Sequence, residues 1–205
     1  TAYYYGLKST MMKDRNLNSH GNNPSNNGLS QTDKRWFAVY TRFKSEKYIL
    51  DKLTKKGIEA YVPLLKYTKR YERKIKHVEI PLISCYIFVR ISESEYVKVL
   101  QTEHVVRFLK LHGKLISIPE DEMELMKRVV GENVVEKAHE GKLSKGTEVE
   151  VIGGNLTGLK GKIIKQQNKK FFVVALDNIG YSLELNIAKA FLQPTRRSSS
   201  IGQKD

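Results

Sequence analysis

Residues 81–91 read Pro-Leu-Ile-Ser-Cys-Tyr-Ile-Phe-Val-Arg-Ile, and this stretch decides the fold. It is rich in β-branched and aromatic residues and carries proline only at its start, which predicts a central strand. Because successive side chains of a strand point to opposite faces, one face is apolar or thiol throughout, and we expect it to pack on helices. The members of that face are Cys85, Ile87, Val89 and Ile91. The opposite face carries Tyr86, Phe88 and Arg90.

Two large aromatic rings beside a cation are unusual on a sheet face that only meets water. On the residues alone, two interpretations stay open for Tyr86 and Phe88. They help to form an exposed aromatic pocket for another protein, or they are ordinary core residues that other parts of the chain cover.

The chain has 205 residues and a net charge of +14, most of which lies in its first domain. Residues 35–118 hold 18 Lys/Arg against 8 Asp/Glu, residues 119–142 hold 4 against 7, and residues 143–195 hold 7 against 4. A basic domain suggests a polyanionic partner such as nucleic acid, and solvated surface lysines give the same composition. No apolar run approaches the roughly 20 residues that cross a bilayer. A single cysteine cannot form an internal disulfide, so we expect a cytoplasmic protein.

Residues 35–130 predict strands that alternate with helices. Ser45 is placed to cap a first helix that stops at Gly57, and Ser92 and Glu95 have the spacing of a capping box for a second helix. The order β-α-β-β-β-α-β-β-α predicts an α+β sandwich, with helices on a mostly antiparallel sheet.

Residues 66–76 predict a hairpin that projects from this sheet. The segment holds six cations and one carboxylate, together with Tyr67 and Tyr71. It is a candidate contact for upstream DNA or RNA, because tyrosine rings can stack on bases. A charged edge that prevents aggregation of the sheet explains the same residues equally well. The cations singled out for the nucleic-acid contact are Lys69, Arg70 and Arg73.

The remaining segments differ from this domain in composition. Residues 1–34 are rich in Asn, Ser and Gly and predict a disordered tail. Residues 131–142 predict a linker. Residues 143–195 contain short, closely spaced strands with glycine turns, which predict a small closed β-barrel. Residues 196–205 predict a polar tail.

Four stretches carry a family resemblance, in the same order along the chain. Residues 36–42 read Trp-Phe-Ala-Val-Tyr-Thr-Arg, and residues 81–89 are similar to the pattern Pro-Leu-Phe-Pro-x-Tyr-Leu-Phe-Val. Residues 101–108 are similar to a Thr-x-Gly-Val segment with His104 in the glycine place, and residues 151–163 align without gaps to a KOW turn. Together they resemble the NusG family of transcription elongation factors, an N-terminal domain followed by a small KOW barrel. The resemblance covers nearly everything but the two tails.

In the NusG family, the N-terminal domain grips the clamp helices of the RNA polymerase largest subunit through an apolar pocket. The resemblance implies that four positions here line the same pocket, and this would account for the aromatic face of the central strand. They are Tyr40, Ile83, Tyr86 and Phe88. Burial of each such side chain against polymerase would contribute roughly 1.5–3 kcal/mol.

The RfaH branch of the family implies a nucleic-acid face that contacts non-template or upstream DNA. Its members here would be Arg42, Lys52, Lys55, Lys56 and Thr102. The three lysines lie three and four apart on one helix side, a spacing that suits a phosphate backbone, although a solvated helix face has the same pattern. Glu103 stands where RfaH carries a cation, so base-specific readout is not implied.

In the KOW turn, Gly154 and Gly161 are expected to serve the backbone geometry of a tight turn. Leu156 and Leu159 stand where general NusG proteins commonly carry Phe. In those proteins the aromatic residues meet Rho or a protein of the small ribosomal subunit, so we expect that contact to differ here.

We expect no enzyme, no catalytic residue, no metal and no cofactor, because the five histidines lack the spacing of metal ligands. The expected function is a monomeric elongation factor that suppresses pausing or opposes termination, specialised for particular operons as RfaH and the UpxY regulators are. The alternatives are a housekeeping NusG that binds Rho or the ribosome, and a KOW-containing ribosomal protein that binds rRNA. An enzyme is a remote third class.

Overall fold

The computed structural model describes residues 28–72, 74–111, 113–132, 134–140, 146–166 and 169–195. The predictions of a disordered N-terminal tail and a polar C-terminal tail lie outside the described residues over 1–27 and 196–205. Within the described ranges, no helix is long and apolar enough to cross a membrane.

The N-terminal domain is built from eight strands and three helices, and its main sheet has the order β2-β5-β1-β6. The elements are β1 (Arg35–Thr41), α1 (Glu46–Lys55), β2 (Glu59–Tyr61), β3 (Leu64–Tyr71), β4 (Lys74–Pro81), β5 (Tyr86–Ile91), α2 (Glu93–Leu100), β6 (Val105–Phe108), β7 (Lys110–Leu111), β8 (Lys114–Leu115) and α3 (Glu120–Gly131). Every neighbouring pair in the main sheet is antiparallel, so the predicted α+β class is confirmed.

The predicted central strand, residues 81–91, is shorter in the structure: β5 begins at Tyr86, Pro81 ends β4, and Cys85 precedes β5 with a φ of 66° rather than lying on its apolar face. Strand β5 pairs with β1 on one side and with β2 on the other. Its apolar face packs on α1 and α2, as the alternation of residues predicts. Ile87 and Val89 share a buried cluster with Ile49 and Leu53 of α1 and Val99 of α2. This face is the core of the N-terminal domain.

The opposite face of β1 and β5 is also covered. Trp36 and Phe88 share a second buried cluster with Met123 and Met126 of α3, and this cluster continues into the C-terminal part of the chain. Pro119 occupies the N-cap position of α3, and the acidic first turn of the helix follows it.

The predicted hairpin at residues 66–76 is confirmed as the pair β3 and β4, which forms a two-stranded sheet separate from the main one. We call it the β3–β4 ribbon. Its base is anchored on both sides of the main sheet, because Leu64 packs against one apolar cluster and Leu65 belongs to the other. Towards the tip the described residues are exposed.

The C-terminal part forms a six-stranded antiparallel sheet in the order β14-β10-β11-β12-β13-β9. Its strands are β9 (Val135–Glu140), β10 (Thr147–Val151), β11 (Lys160–Gln166), β12 (Lys169–Leu176), β13 (Tyr181–Leu185) and β14 (Leu192–Pro194). The terminal strands β9 and β14 are not paired with each other among the described residues, so strand pairing does not close this sheet into the predicted barrel.

The predicted linker at residues 131–142 is corrected by β9. Gly131 ends α3, and Val135–Glu140 pairs with β13 as an edge strand of the C-terminal sheet. The charged residues of this segment suggested a solvated linker, but Val135 is buried and Ala138 packs against the same apolar cluster. An edge strand needs only these few apolar contacts because one of its sides stays open to solvent.

The helix ends follow the sequence signals in part. Ser45 occupies the N-cap position of α1, but its side chain makes no capping hydrogen bond. At α2, the Ser92 N–H donates to the Glu95 carboxylate at 3.1 Å, as a capping box requires. Gly57 follows α1 with a φ of 72°, a left-handed conformation that glycine adopts without strain.

We predict opposite effects on stability for alanine at two glycines. A Cβ at Gly161 would lie 2.6 Å from the Val173 carbonyl oxygen and 2.7 Å from the Phe172 ring, whereas a Cβ at helical Gly131 would meet no atom within 4 Å. Gly161→Ala should lower the free energy of unfolding by about 1–3 kcal/mol. Gly131→Ala should raise it by about 0.4–1 kcal/mol because the unfolded chain loses freedom. Urea denaturation measures both, and equal effects would contradict the close approach at Gly161.

Candidate functional site

The four predicted pocket residues lie together on the second face of the N-terminal sheet and beside it. Ile83 and Phe88 are buried, with 1% and 0% of their surfaces exposed, while Tyr40 and Tyr86 are half-buried. The Tyr40 and Tyr86 rings meet edge to face with centroids 5.5 Å apart. The Arg107 guanidinium lies 5.6 Å from the centre of the Tyr40 ring. We call Tyr40, Ile83, Tyr86 and Phe88 the aromatic face.

The aromatic face is not an open pocket in this conformation, so the expectation of exposed rings is wrong for Phe88. The alternative interpretation, cover by other parts of the chain, describes what is seen. Part of the cover is α3, and part is the C-terminal sheet. Tyr181 at the start of β13 meets Tyr86 edge to face, with ring centroids 6.2 Å apart.

Polar contacts from α3 hold the C-terminal sheet beside the aromatic face. The Glu122 carboxylate accepts hydrogen bonds from the Asn178 backbone N–H at 3.2 Å and the Asn178 side-chain amide at 2.7 Å. It also accepts one from the Ile179 N–H at 3.3 Å. Burial raises the pKa of Glu122 above its ordinary value, although these hydrogen bonds oppose the rise. Both donor residues lie in the turn between β12 and β13.

A second set of contacts joins the far end of α3 to the KOW turn. Arg128 donates to the backbone oxygens of Asn155 at 3.1 Å and Thr157 at 2.7 Å. The Asn155 side-chain amide donates to the Glu132 carboxylate at 3.1 Å. One helix therefore contacts two turns of the C-terminal sheet, mostly through their backbone groups.

The predicted KOW-turn residues fall into two groups. Gly154 has a φ of 75°, whereas Gly161 lies within β11, where a Cβ would come within 2.6 Å of the Val173 carbonyl oxygen. Leu156 and Leu159 are buried in the apolar cluster that contains the aromatic face. In this conformation the two leucines are core residues and do not present an apolar surface to a partner.

Three residues with left-handed backbone converge at the end of β1. Lys44, Cys85 and His104 have φ angles of 61°, 66° and 68°. The Thr41 N–H donates to the Cys85 carbonyl at 2.8 Å, and the Arg42 N–H donates to the His104 carbonyl at 2.9 Å. The His104 value fits its position where the family pattern has glycine. Such conformations are costly outside glycine, so the surrounding hydrogen bonds must hold them.

The Cys85 backbone is held by a buried carboxylate. Glu46 is buried at the start of α1 and accepts a hydrogen bond of 2.7 Å from the Cys85 N–H. Burial, followed by the nearby Glu46 charge, raises the pKa of the Cys85 thiol. The thiol is therefore poorly suited to nucleophilic chemistry, because the thiolate is the reactive form.

The residues predicted to contact nucleic acid around α1 fall into two groups in the structure. Arg42, Lys52 and Lys55 are exposed. Lys55 pairs with Asp51 at 2.7 Å, and the Lys52 amine lies 5.2 Å from the centre of the Tyr48 ring. An exposed pair of this kind contributes little to stability, so both lysines remain available to an anion.

Thr102 and Lys56 are instead joined to each other. Thr102 is buried, and its hydroxyl donates to the Lys98 carbonyl at 3.0 Å and accepts from the Lys56 amine at 2.8 Å. These contacts tie α1 to the end of α2, so Thr102 has a structural role in this conformation. Beside it, the Tyr48 hydroxyl donates to Glu103 at 2.7 Å and, with His104, holds the pKa of Glu103 below its ordinary value.

The cations predicted on the hairpin lie on the β3–β4 ribbon. In the strand register, Lys69 lies opposite Lys76 and Arg70 lies opposite Ile75, while Arg73 lies outside the described residues. Across the part of the chain that the structure describes, no group of three or more His, Cys, Asp or Glu side chains is placed to hold a metal ion.

Several contact residues carry no signal in the sequence. Glu122 belongs to an acidic first helical turn, and Arg128 to an ordinary amphipathic helix, and both fit those local roles. Their partners Asn155 and Asn178 lie 27 and 56 residues further along the chain. Only the tertiary structure brings them together.

Comparison with known proteins finds one family model and solved structures that are similar to parts of this chain. Residues 34–127 match the sequence model of a family described as "Transcription termination factor nusG". No curated relative matches the sequence. The solved structure titled "Domain interaction in Thermotoga maritima NusG" aligns with a TM-score of 0.47 and 18% identity, covering 82% of this chain and 100% of that chain. A structure of the MjSpt4:Spt5 complex aligns with a TM-score of 0.28 and 17% identity, covering 80% of this chain and 99% of that chain.

The matched segment, residues 34–127, runs from β1 into α3 and is less than half of the 205-residue chain.

Proposed function

We propose that this protein is a transcription elongation factor that binds the clamp helices of the RNA polymerase largest subunit through the aromatic face. One observation carries this proposal: the aromatic face of a domain that matches the nusG family model is covered in part by a separate sheet of the same chain. Covering an apolar surface with a second domain leaves it available to a partner when that domain moves away.

The contacts of the cover are of a kind that can be released. Asn178 and Ile179 present backbone N–H groups to Glu122, and Asn155 and Thr157 present backbone oxygens to Arg128. All four partners belong to turns, so water can replace each lost hydrogen bond at small net cost. The conformation described is therefore a closed state, and binding to polymerase would require an open one.

In the open state, the exposed cations of α1 would face nucleic acid. Arg42, which precedes α1, and Lys52 and Lys55 within α1 are exposed, and they supply charge for a phosphate backbone. Glu103 is held ionised by Tyr48 and His104, and a carboxylate there disfavours close approach of a phosphate. We infer contact with upstream or non-template DNA that steers binding without base-specific readout.

We propose further that the protein opposes pausing or termination in the cytoplasm at particular operons. The leucines at positions 156 and 159 support specialisation, because they are buried rather than displayed to Rho or the ribosome. Deletion followed by genome-wide transcript mapping tests this. Premature termination, seen as loss of promoter-distal transcripts, is expected in a few long operons, whereas changes across most genes would favour a housekeeping NusG.

A ribosomal protein that binds rRNA is the alternative of a different class, favoured by the basic composition and the KOW turn. It would co-sediment with ribosomal subunits, and its binding would be indifferent to the aromatic face. Sucrose-gradient fractionation of the full-length wild type and of the Tyr86→Ala variant separates this alternative from polymerase binding.

We predict that Glu122→Ala strengthens binding to purified core RNA polymerase. The Asn178 and Ile179 donors lose their buried acceptor, which should weaken the closed state by about 1–3 kcal/mol. Because apparent affinity scales with the fraction of open molecules, the dissociation constant should fall by roughly 5- to 100-fold. Biolayer interferometry measures this change. Glu124→Ala, an exposed glutamate on the same helix, is the matched control and should bind as the wild type does.

We predict that Tyr86→Ala weakens polymerase binding by about 2 kcal/mol when it is made in the Glu122→Ala background. A larger fraction of molecules is open in that background, so the measured loss depends less on the contact that Tyr86 makes with Tyr181 in the closed state. Val97→Ala is the control, because Val97 is 55% exposed on α2, on the other side of the sheet. Equal affinities of the Tyr86 variant and the control would rule out the aromatic face as the binding surface.

We predict that acidification favours the closed state. The pKa of Glu122 is raised above its ordinary 4.5 when the domains are docked, so the docked state binds the proton more tightly. This contribution to docking is complete below the ordinary pKa and is lost as the pH rises through the raised one. Fluorescence energy transfer between labels on the two domains should show more closed molecules as the pH falls towards 4.5, the ordinary pKa of a glutamate. Glu122→Gln should remove this dependence, and an unchanged pH profile in that variant would contradict the assignment.

A further inference from the structure

The register of the β3–β4 ribbon gives its two faces different chemistry. Tyr67 lies opposite Val78, Lys69 opposite Lys76, and Tyr71 opposite Lys74. Since residues two apart in a strand share a face, these six positions lie on one face of the ribbon. We call it the tyrosine face. It combines two aromatic residues, three lysines and one valine, with no carboxylate.

The opposite face has a different composition. Lys66 lies opposite Glu79, Thr68 opposite His77, and Arg70 opposite Ile75. Glu79 also pairs with Lys47 of α1 at 2.9 Å. Its carboxylate thus offsets part of the cationic charge on this face, and Thr68 and His77 are within hydrogen-bond distance of each other at 3.1 Å.

The tyrosine face carries positive charge that the ribbon itself does not offset. Lys74 and Lys76 are exposed, and Tyr67 is 42% exposed. A charged edge that only prevents aggregation needs lysines, but it does not need aromatic residues between them.

We propose that the tyrosine face binds single-stranded nucleic acid, with bases stacked on tyrosine and phosphates beside the lysines. An exposed tyrosine ring beside exposed lysines on a sheet surface matches the chemistry of single-strand binding, in which each base offers a ring face. The bases of a duplex are already stacked on each other, so a duplex would contact only the lysines, through its phosphates. This role rests on the proposed function for placing the protein beside a transcript or an open strand, and it adds a site separate from the aromatic face.

The ribbon supplies the reach that such a site needs. Each strand has eight residues, so the ribbon extends roughly 25 Å. Anchoring of Leu64 and Leu65 in the two apolar clusters fixes its direction relative to the main sheet. A projecting ribbon of this length can follow several nucleotides.

The test is binding of the full-length protein to a fluorescent 12-nucleotide oligouridine, an oligodeoxythymidine of the same length, and a mixed-sequence 12-base-pair DNA duplex. Tyr67→Ala should weaken binding to the single strands by roughly 5- to 100-fold and leave duplex binding nearly unchanged. Ile75→Ala is its control, since Ile75 is 60% exposed on the opposite face. The two single strands distinguish RNA from DNA as the source of the ligand.

The lysines are tested through the salt dependence of binding. Lys76→Ala should lower the slope of log affinity against log salt by about 0.7 for a single strand, whereas Lys66→Ala on the opposite face should not. Tighter binding of duplex than of single strand, or equal losses from Tyr67→Ala and Ile75→Ala, would overturn the proposal. Loss of polymerase binding in Tyr67→Ala with unchanged oligonucleotide binding would assign the face to a protein instead.

Failure of this site and failure of the proposed function can be told apart. The oligonucleotide measurements use no polymerase, and Tyr86→Ala lies outside the ribbon. If the aromatic face does not bind polymerase, the tyrosine face can still bind single strands. If the ribbon does not bind them, the polymerase measurements with Glu122→Ala remain informative.

Discussion

The antiparallel pairing of β1 with β5 is the constraint on which the rest of the structure depends. Both strands are buried on two faces, and the alternation of their side chains assigns each face a different cover. Aliphatic residues on one face pack on α1 and α2 and form the core of the N-terminal domain. Aromatic residues on the other face need a second layer, which α3 and the C-terminal sheet provide. A shift of one residue in this register would exchange the two faces and remove both covers.

Local patterns in the sequence predicted the elements of the fold but not the contacts between the domains. The alternation of side chains along the strand and the capping-box spacing at Ser92 each depend on neighbours along the chain, and the structure shows the first over residues 86–91 and the second at α2. The burial of Phe88 depends on residues far away in the sequence, and so does the pairing of the strand Val135–Glu140 with β13. Ser45 stands at a helix start without capping it, because a propensity does not fix the rotamer of one side chain.

The candidate site shows the same division. The sequence resemblance indicated which side chains would form the aromatic face, and the structure brings Tyr40, Tyr86 and Phe88 together. The resemblance did not indicate that Thr102 is buried or that Lys56 is bound to it. A residue type in the sequence does not tell whether its position is exposed or buried. For Thr102 and Lys56, the packing of α1 against the end of α2 decides this.

The connection between α3 and β9 has a consequence for how firmly the domains associate. Helix α3 ends at Gly131 and β9 begins at Val135, so the C-terminal sheet is tethered beside the surface that it covers. A short tether gives the two domains an effective concentration in the millimolar range or above. An interface too weak to join two separate molecules therefore stays mostly associated in the intact chain. If this tether were cut, the same contacts would have to join two separate molecules, and their association would depend on protein concentration.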